Sequence, residues 1–69
     1  MERNLTDKIV EVICNNIENG KWQRGRFIPP MRTIAESENV SRGIVTAAVS
    51  VLVGKGILES VPRHGIRVS

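Results

Sequence analysis

The sequence predicts a mainly α-helical domain with a small β-hairpin, in which three helices come first and two short strands close the chain. Three observations predict this fold class. Apolar residues recur at helical spacing in three segments, and Gly, Pro and Asn residues separate those segments. In the final segment, apolar and polar residues alternate on both sides of a tight turn. We expect a single domain over residues 1–69, with helices at about 5–19, 31–38 and 42–55 and the hairpin at about 57–68.

The first helix is indicated by one broad apolar face. Successive residues of a helix are about 100° apart, which places the aliphatic residues on one arc and most polar residues opposite. That arc comprises Leu5, Ile9, Val10, Val12, Ile13, Cys14 and Ile17. Asn4 can cap the helix through its side-chain oxygen, and Gly20 can adopt the left-handed conformation that ends it.

A basic connection, residues 20–30, leads to a short second helix. Phe27 and Ile28 can form a brief strand, which Pro29 ends because proline lacks the amide hydrogen that a sheet requires. Pro30 can begin the second helix, where that hydrogen would be unpaired in any case. The residues that we expect to face inward are Met31, Ile34 and Ala35.

A tight turn joins the second helix to the third. Asn39 tolerates the left-handed conformation of such a turn, Val40 can enter the core, and Ser41 is a good N-cap. Apolar residues of the third helix repeat at i, i+3, i+4 and i+7, which predicts one buried face. They are Val45, Ala48, Val49 and Leu52, flanked by Ile44 and Val51. The segment is therefore predicted to be a helix-turn-helix.

The outward face of the third helix carries small, uncharged residues, and we name it the small-residue strip. It comprises Gly43, Thr46, Ala47 and Ser50. A helix exposed to water usually carries charged residues on its outer face, so this strip predicts a contact. Small side chains let a helix enter the major groove of duplex DNA, which is about 12 Å wide, and their methyl groups and hydroxyls can contact base edges. The alternative is packing against another domain or subunit.

The hairpin is predicted from alternation on both sides of a turn at 62–65. Its apolar positions are Ile57, Leu58, Val61, Ile66 and Val68. A two-stranded hairpin is marginal alone and must pack on the helices. Two of its basic residues, Arg63 and Arg67, can approach the minor groove of a duplex, or they serve solubility alone.

The distribution of charge favours a nucleic-acid partner without requiring one. The net charge is +3, and residues 20–35 include Lys and Arg side chains but no acidic one. Clustered bases attract phosphates, although a solvated basic surface explains the charge equally well. Trp22 and Phe27 are the only aromatic residues. This scarcity disfavours readers of single strands, which stack bases on aromatic rings.

The sequence predicts no enzyme, no cofactor and no metal site. It has one His and one Cys, no metal-ligand spacing and no glycine-rich phosphate loop. Cys14 cannot form an internal disulfide, and we expect it to be a small buried hydrophobe in a reducing compartment, the cytoplasm. No apolar run approaches the roughly 20 residues of a membrane span, so no membrane contact is expected.

A set of motifs runs along nearly the whole chain. It comprises Gly25, Ile28-Pro29, Arg32, Ile34-Ala35, Val40-Ser41-Arg42, Val45, Ala48, Leu52, Gly56-Ile57-Leu58, Gly65 and Val68. This order resembles the amino-terminal domain of the GntR family of bacterial repressors. The family pattern has Leu-Pro-Ser-x-x-Arg-x-Leu-Ala at the second helix, Val-Ser-Arg-x-Thr-Val-Arg-x-Ala-x-x-x-Leu at the recognition helix, and then a Gly-rich wing.

The resemblance implies a winged helix-turn-helix fold and sequence-specific binding of double-stranded DNA, as the operator-reading domain of a transcription regulator. It implies DNA contacts at Arg32, Ser41, Arg42, His64 and Gly65. The guanidinium of Arg42, at a helix N-terminus, can reach O6 and N7 of a guanine together. With the strip and the hairpin cations added, the predicted DNA-contacting residues are Arg32, Ser41, Arg42, Gly43, Thr46, Arg63, His64, Gly65 and Arg67.

Three positions depart from the family pattern. Pro30 replaces a Ser, which removes a side-chain cap and a phosphate contact. Ile44 replaces a Thr, and Thr46 replaces a second Arg of the recognition helix, so that one base-reading cation is missing. Base readout is therefore expected to be weaker, or shifted toward A·T pairs.

The resemblance also implies partners. Family members bind a palindromic operator as homodimers, because two linked copies strengthen a weak half-site interaction. Their dimerising and effector-binding domain is absent after Ser69, so we expect an effector to act only through that missing C-terminal domain, and the chain to be a monomer or weak dimer in solution. The alternative function is that of a winged-helix protein–protein interaction module, whose strip and wing contact a partner protein.

Overall fold

Three α-helices and a two-stranded antiparallel hairpin make up the fold in the computed structural model, which describes residues 4–69. The elements are α1 Leu5–Glu18, α2 Met31–Glu38, α3 Arg42–Gly54, β1 Leu58–Val61 and β2 Gly65–Val68. The predicted fold class is confirmed, and α1 and α3 each end one residue before the limit expected from periodicity. Residues 1–3 of the predicted domain lie outside the described part. No helix in residues 4–69 has the length and apolar character needed to cross a bilayer.

The helix ends form where the sequence places capping residues. Asn4 Oδ1 accepts a hydrogen bond from the amide of Asp7 at 2.8 Å, and Ser41 Oγ accepts one from the amide of Ile44 at 3.3 Å. Gly20, with φ of +83°, and Asn39, with φ of +57°, take the left-handed conformation after α1 and α2. Asn4 and Gly20 thus define the two ends of α1, and Asn39 and Ser41 fix the turn between α2 and α3.

The core lies between α1 and α3 and is closed by α2 and the hairpin. Its buried members are Ile9, Ile13, Ile28, Ile34, Ala35, Val45, Ala48, Val49, Leu52, Leu58 and Val68. The apolar arc predicted for α1 is too wide. Leu5 is 51% exposed, because the packing of α1 begins one turn later at Ile9, and Cys14 is half-buried at the edge of the core rather than enclosed by it.

The hairpin, residues 58–68, forms the wing, and the connection before α2 adds to its free edge. β1 and β2 pair with Leu58 opposite Val68 and Val61 opposite Gly65. The brief strand predicted at Phe27 and Ile28 is present as a single bridge between Phe27 and Arg67. It extends no further because Pro29 cannot donate a hydrogen bond to a sheet.

Candidate nucleic-acid interface

The small-residue strip lies on the exposed side of α3. Gly43, Thr46, Ala47 and Ser50 are exposed, whereas the opposite face of the helix is buried against α1 and α2. The orientation therefore agrees with the sequence pattern. Ile44, at the position where the resemblance leads one to expect a Thr, is half-buried and packs against the core. The Ile44 side chain therefore contributes to the packing of the core and is not part of the exposed small-residue strip.

Thr46 presents a particular chemistry in the middle of the strip. Its Oγ1 donates a hydrogen bond to the carbonyl oxygen of Arg42 at 2.9 Å and lies 3.6 Å from Sδ of Met31. A hydroxyl has a single hydrogen, and the backbone bond uses it. What remains for a ligand is the methyl group, which suits the methyl of thymine, and a lone pair, which can accept from adenine N6 or cytosine N4.

The N-terminus of α3 offers hydrogen-bond donors to an anion. Ser41 Oγ caps the helix with a lone pair, so its hydroxyl hydrogen can still be donated. The first amides of a helix have no acceptor within the helix and attract negative charge. At Gly43 a Cβ would lie 3.9 Å from Ser41 Oγ, an ordinary contact, so packing within the chain does not require a glycine there.

Two exposed arginines stand at the starts of α2 and α3. Arg32 and Arg42 line one surface depression together with Pro30, Met31 and Thr33. Arg32 Nε lies 3.7 Å from Glu36 Oε1, one turn further along α2, and both side chains are largely in water. Such a pair contributes little to stability, so the guanidinium of Arg32 is available to a phosphate.

The tip of the wing is a tight turn that carries a cation. The amide of His64 donates to the carbonyl of Val61 at 3.0 Å, and Arg63 has φ of +69°. This left-handed conformation costs a side chain with a Cβ roughly 1–2 kcal/mol, and glycine avoids that cost. The turn expected at 62–65 is present, and its most strained position holds an exposed arginine.

The predicted contact residues of the helices and the wing tip lie on one continuous surface. A cleft of about 450 Å³ separates the wing from the start of α2 and is lined by residues 28–31 and 60–66. Pro30 and Met31 line both this cleft and the depression of the two arginines. The surface therefore runs from Arg63, past the start of α2, to Arg42 and the strip.

Arg67 is a predicted contact residue whose side chain is held by two other side chains of the fold. Its Nε donates to Glu59 Oε1 at 2.9 Å, its Nη2 contacts the same oxygen, and its guanidinium carbon lies 5.9 Å from the centre of the Phe27 ring. The pair follows from the hairpin register, which places Glu59 opposite Arg67. Sequence reasoning missed Glu59 and Phe27, although a three-residue loop at 62–64 would have placed the acid and the base opposite each other.

The groups that the described surface offers indicate the kind of ligand that it could bind. Within residues 4–69, no group of three or more His, Cys, Asp or Glu side chains is arranged to hold a metal ion. What the surface does offer is cations, helix-end amides and small side chains around a cleft. Those groups suit the sugar-phosphate backbone and the grooves of a duplex.

Comparisons with known proteins agree with this chemistry. The family model described as "Bacterial regulatory proteins, gntR family" matches residues 5–68. Among curated proteins, the chain is 36% identical over 64 residues to the uncharacterized HTH-type transcriptional regulator YisV of Bacillus subtilis, covering 93% of this chain and 13% of YisV. It is 41% identical over 56 residues to the HTH-type transcriptional repressor STM4068 of Salmonella typhimurium, covering 81% of this chain and 23% of the repressor. The chain thus spans less than a quarter of the length of either relative.

Solved structures give the same fold over the whole chain. The DNA-binding domain of AraR in complex with operator ORR3 superposes with a TM-score of 0.94 at 28% identity, covering 100% of this chain and 83% of that one. The same domain with operator ORE1 gives a TM-score of 0.95 at 28% identity, covering 100% of this chain and 84% of that one. The winged helix-turn-helix expected from the sequence is therefore confirmed.

Proposed function

The chain belongs to the gntR family of bacterial regulatory proteins, and from this membership we propose that it binds double-stranded DNA sequence-specifically, as the operator-reading domain of a transcription regulator. The observation that carries the proposal is the continuous surface from the wing tip to the N-terminus of α3, with an exposed arginine at each end and the uncharged, exposed small-residue strip beyond Arg42. That AraR's domain, similar over its length, was solved with operator DNA supports it. No catalytic role forms part of the proposal.

In the proposed complex α3 lies in the major groove and the wing follows the adjacent minor groove. Arg42 donates two hydrogen bonds to a guanine, while Arg32, Ser41 and the first amides of α3 hold phosphates. Arg63 enters the minor groove, whose negative potential attracts arginine. His64 and Gly65 sit beside it, where the turn brings the backbone close to the duplex.

The chemistry of the strip predicts which bases follow the guanine. Thr46 and Ala47 both expose methyl groups, and α3 places no cation beyond Arg42 on its outward face before Lys55. Methyl groups pack on the 5-methyl group of thymine. We therefore propose a half-site in which a guanine contacted by Arg42 is followed by A·T pairs.

The same family membership leads to proposals about dimerisation, response to an effector and location in the cell. We propose that two copies bind a palindromic operator, since joining two weak half-site contacts raises the effective affinity. Dimerisation and response to an effector would belong to sequence beyond this domain, because the curated relatives are much longer than the matched region. Binding to bacterial DNA would place the protein in the cytoplasm.

The test of the proposal is selection of bound duplexes from a random pool by the 69-residue chain. We expect enrichment of one short half-site with a guanine beside A·T pairs, and a second, inverted copy in duplexes that bind two chains. An output pool with the base composition of the input pool would contradict sequence-specific binding. Replacing thymine by uracil in the selected site then removes only methyl groups and should weaken binding at the positions that face Thr46 and Ala47.

Substitution of Arg42 by alanine should weaken binding to the selected site by about 1–3 kcal/mol and relax the preference at one base pair, because a bidentate contact to guanine is lost. Arg42→Lys keeps the charge but cannot form the fork, so it should also lose the base preference. Lys55→Ala is the control, since it removes one exposed cation from the other end of α3. Anisotropy titrations on the site and on its guanine-substituted version measure both effects, and an unchanged profile for Arg42→Ala would remove this residue from base reading.

Substitution of Gly43 by alanine should affect stability and binding in opposite directions. An alanine Cβ at position 43 would make only an ordinary van der Waals contact inside the chain. Because alanine is a better helix former than glycine, the free energy of unfolding should rise by up to about 1 kcal/mol. The same methyl would stand between α3 and the DNA, and overpacking of a fitted interface costs about 1–3 kcal/mol. Gly54→Ala, in open space at the far end of α3, should stabilise the helix without weakening binding. Urea unfolding and DNA titration of both variants separate the two effects; equal affinities would contradict a close approach at Gly43.

A further inference from the structure

Phe27 is an aromatic residue whose position the core does not explain. It is 49% exposed and belongs neither to the buried core nor to the residues packed against that core. Leaving half of a phenyl ring in water forgoes much of the 1.5–3 kcal/mol or so that burial of such a side chain provides. Its neighbour Ile28 is buried, as alternation along a strand requires.

The backbone on both sides of Phe27 is fixed to the wing. The amide of Gly25 donates to the carbonyl oxygen of Val68 at 2.8 Å, and the amide of Val68 donates to the carbonyl oxygen of Arg26 at 3.0 Å. The amide of Ile28 donates to the carbonyl of Ile66 at 2.9 Å. These three bonds hold the Phe27 ring on the outer face of the wing, in one cross-strand row with Arg67 and Glu59.

The Phe27 ring lies beside the end of the wing turn and β2, the strand that follows it. Its centre lies 6.4 Å from that of the His64 imidazole, with 38° between the planes, and 5.9 Å from the guanidinium carbon of Arg67. At Gly65 a Cβ would lie 3.8 Å from Phe27 Cδ1. One side chain from outside the hairpin therefore lies beside His64 and Gly65, two of the tip residues predicted to contact DNA, and beside the cation of Arg67.

We propose that Phe27 is a positioning residue for the wing tip: its ring holds His64 and Gly65 from behind, and so sets the angle at which the tip meets the minor groove. This role rests on the proposed binding of DNA. A two-stranded hairpin is marginal alone, and the cleft leaves the other side of the tip open. With Arg67 held between the ring and Glu59, the row of three residues ties the tip to the body of the domain.

The first experiment tests, in the absence of DNA, whether the Phe27 ring lies beside His64 and Gly65. Phe27→Leu keeps an apolar side chain but removes the ring, and Phe27→Tyr keeps the ring. The proton chemical shifts of His64 and Gly65 should change in the leucine variant, through loss of the ring current, and stay close to those of the parent chain in the tyrosine variant. Leu5→Ala, at a residue of equal exposure on α1, is the control and should leave both sets of shifts unchanged. Unaltered shifts in Phe27→Leu would overturn the proposal.

The second experiment asks whether Phe27 acts through the tip. Phe27→Leu should weaken binding to the selected duplex about fivefold, in the range of coupling between residues in contact, and Phe27→Tyr should bind about as tightly as the parent chain. Arg63→Gly removes the tip cation while suiting the left-handed backbone at that position. In that background Phe27→Leu should weaken binding less than about twofold further, because the Arg63 cation, whose approach to the minor groove depends on the angle of the tip, is already gone. Fully additive losses would overturn the positioning role, whereas a parent chain that binds no duplex would overturn the proposed function itself, and the chemical shifts tell the two apart.

Discussion

The affinity of the chain for duplex DNA is expected to fall about 40- to 150-fold when salt is raised from 50 to 200 mM. Binding to phosphates releases counterions, and the logarithm of the affinity then falls by about 0.9 per phosphate neutralised for each tenfold rise in salt. Besides Arg42, which is proposed to read a base, Arg32 and Arg63 are exposed at the proposed interface, and Lys21, Arg24 and Arg26 are exposed in the connection before α2. Three to four phosphate contacts give the stated range. Anisotropy titrations at four salt concentrations measure the slope.

The same titration separates the proposed function from the alternative of a protein-interaction module. Apolar packing of the strip on a partner protein would scarcely respond to salt, since the strip carries no charge. Arg63→Gly should reduce the slope by about one unit if its cation meets a phosphate in the minor groove. DNA binding that is weak and insensitive to salt would favour the alternative function.

Substitution of Leu52 by alanine should destabilise the domain by about 2–5 kcal/mol, because Leu52 is 1% exposed in the centre of the core and the deletion leaves a cavity. A domain of 69 residues has only roughly 3–10 kcal/mol of stability in total. The variant should therefore lose a large share of this stability and unfold at a lower temperature and a lower urea concentration than the parent chain. Circular dichroism during urea or thermal unfolding measures the loss.

The neighbouring residue provides the control for this experiment. Val51 lies on the same helix but is 41% exposed, so Val51→Ala should change the free energy of unfolding by less than about 1 kcal/mol. Both variants leave the strip and the arginines untouched, and Val51→Ala should keep its affinity for DNA. Equal destabilisation by the two substitutions would contradict the inward and outward faces assigned to α3.

The parts of the fold that sequence predicts well are those decided by neighbours along the chain. The turn between α2 and α3 depends on Asn39 in the left-handed region and on Ser41 as a cap, and both act within one helical turn. The strip on α3 follows from helical periodicity, so its exposure could be predicted too. The residues of the site that belong to these segments are the ones whose placement agrees with the sequence pattern.

The parts that sequence does not predict depend on contacts between distant segments. The ion pair of Arg67 with Glu59 requires the hairpin register, and its contact with Phe27 requires the pairing of a connection with β2. Leu5 belongs to the apolar arc of α1 by periodicity, yet packing starts only at Ile9. Where α1 meets α3 is set by the packing of whole elements, which no local pattern records.

The hydrogen bonds between residues 25–28 and β2 have a consequence for how the chain acquires its shape. They join a segment before the helix-turn-helix to the last strand, so this pairing cannot form until the chain between the two segments has been brought into place. Closing so long a loop costs entropy that only the collapsed core can offset. We therefore expect the pairing of residues 25–28 with β2 to be a late step of folding, so that the wing acquires its final orientation only after α2 and α3 have packed.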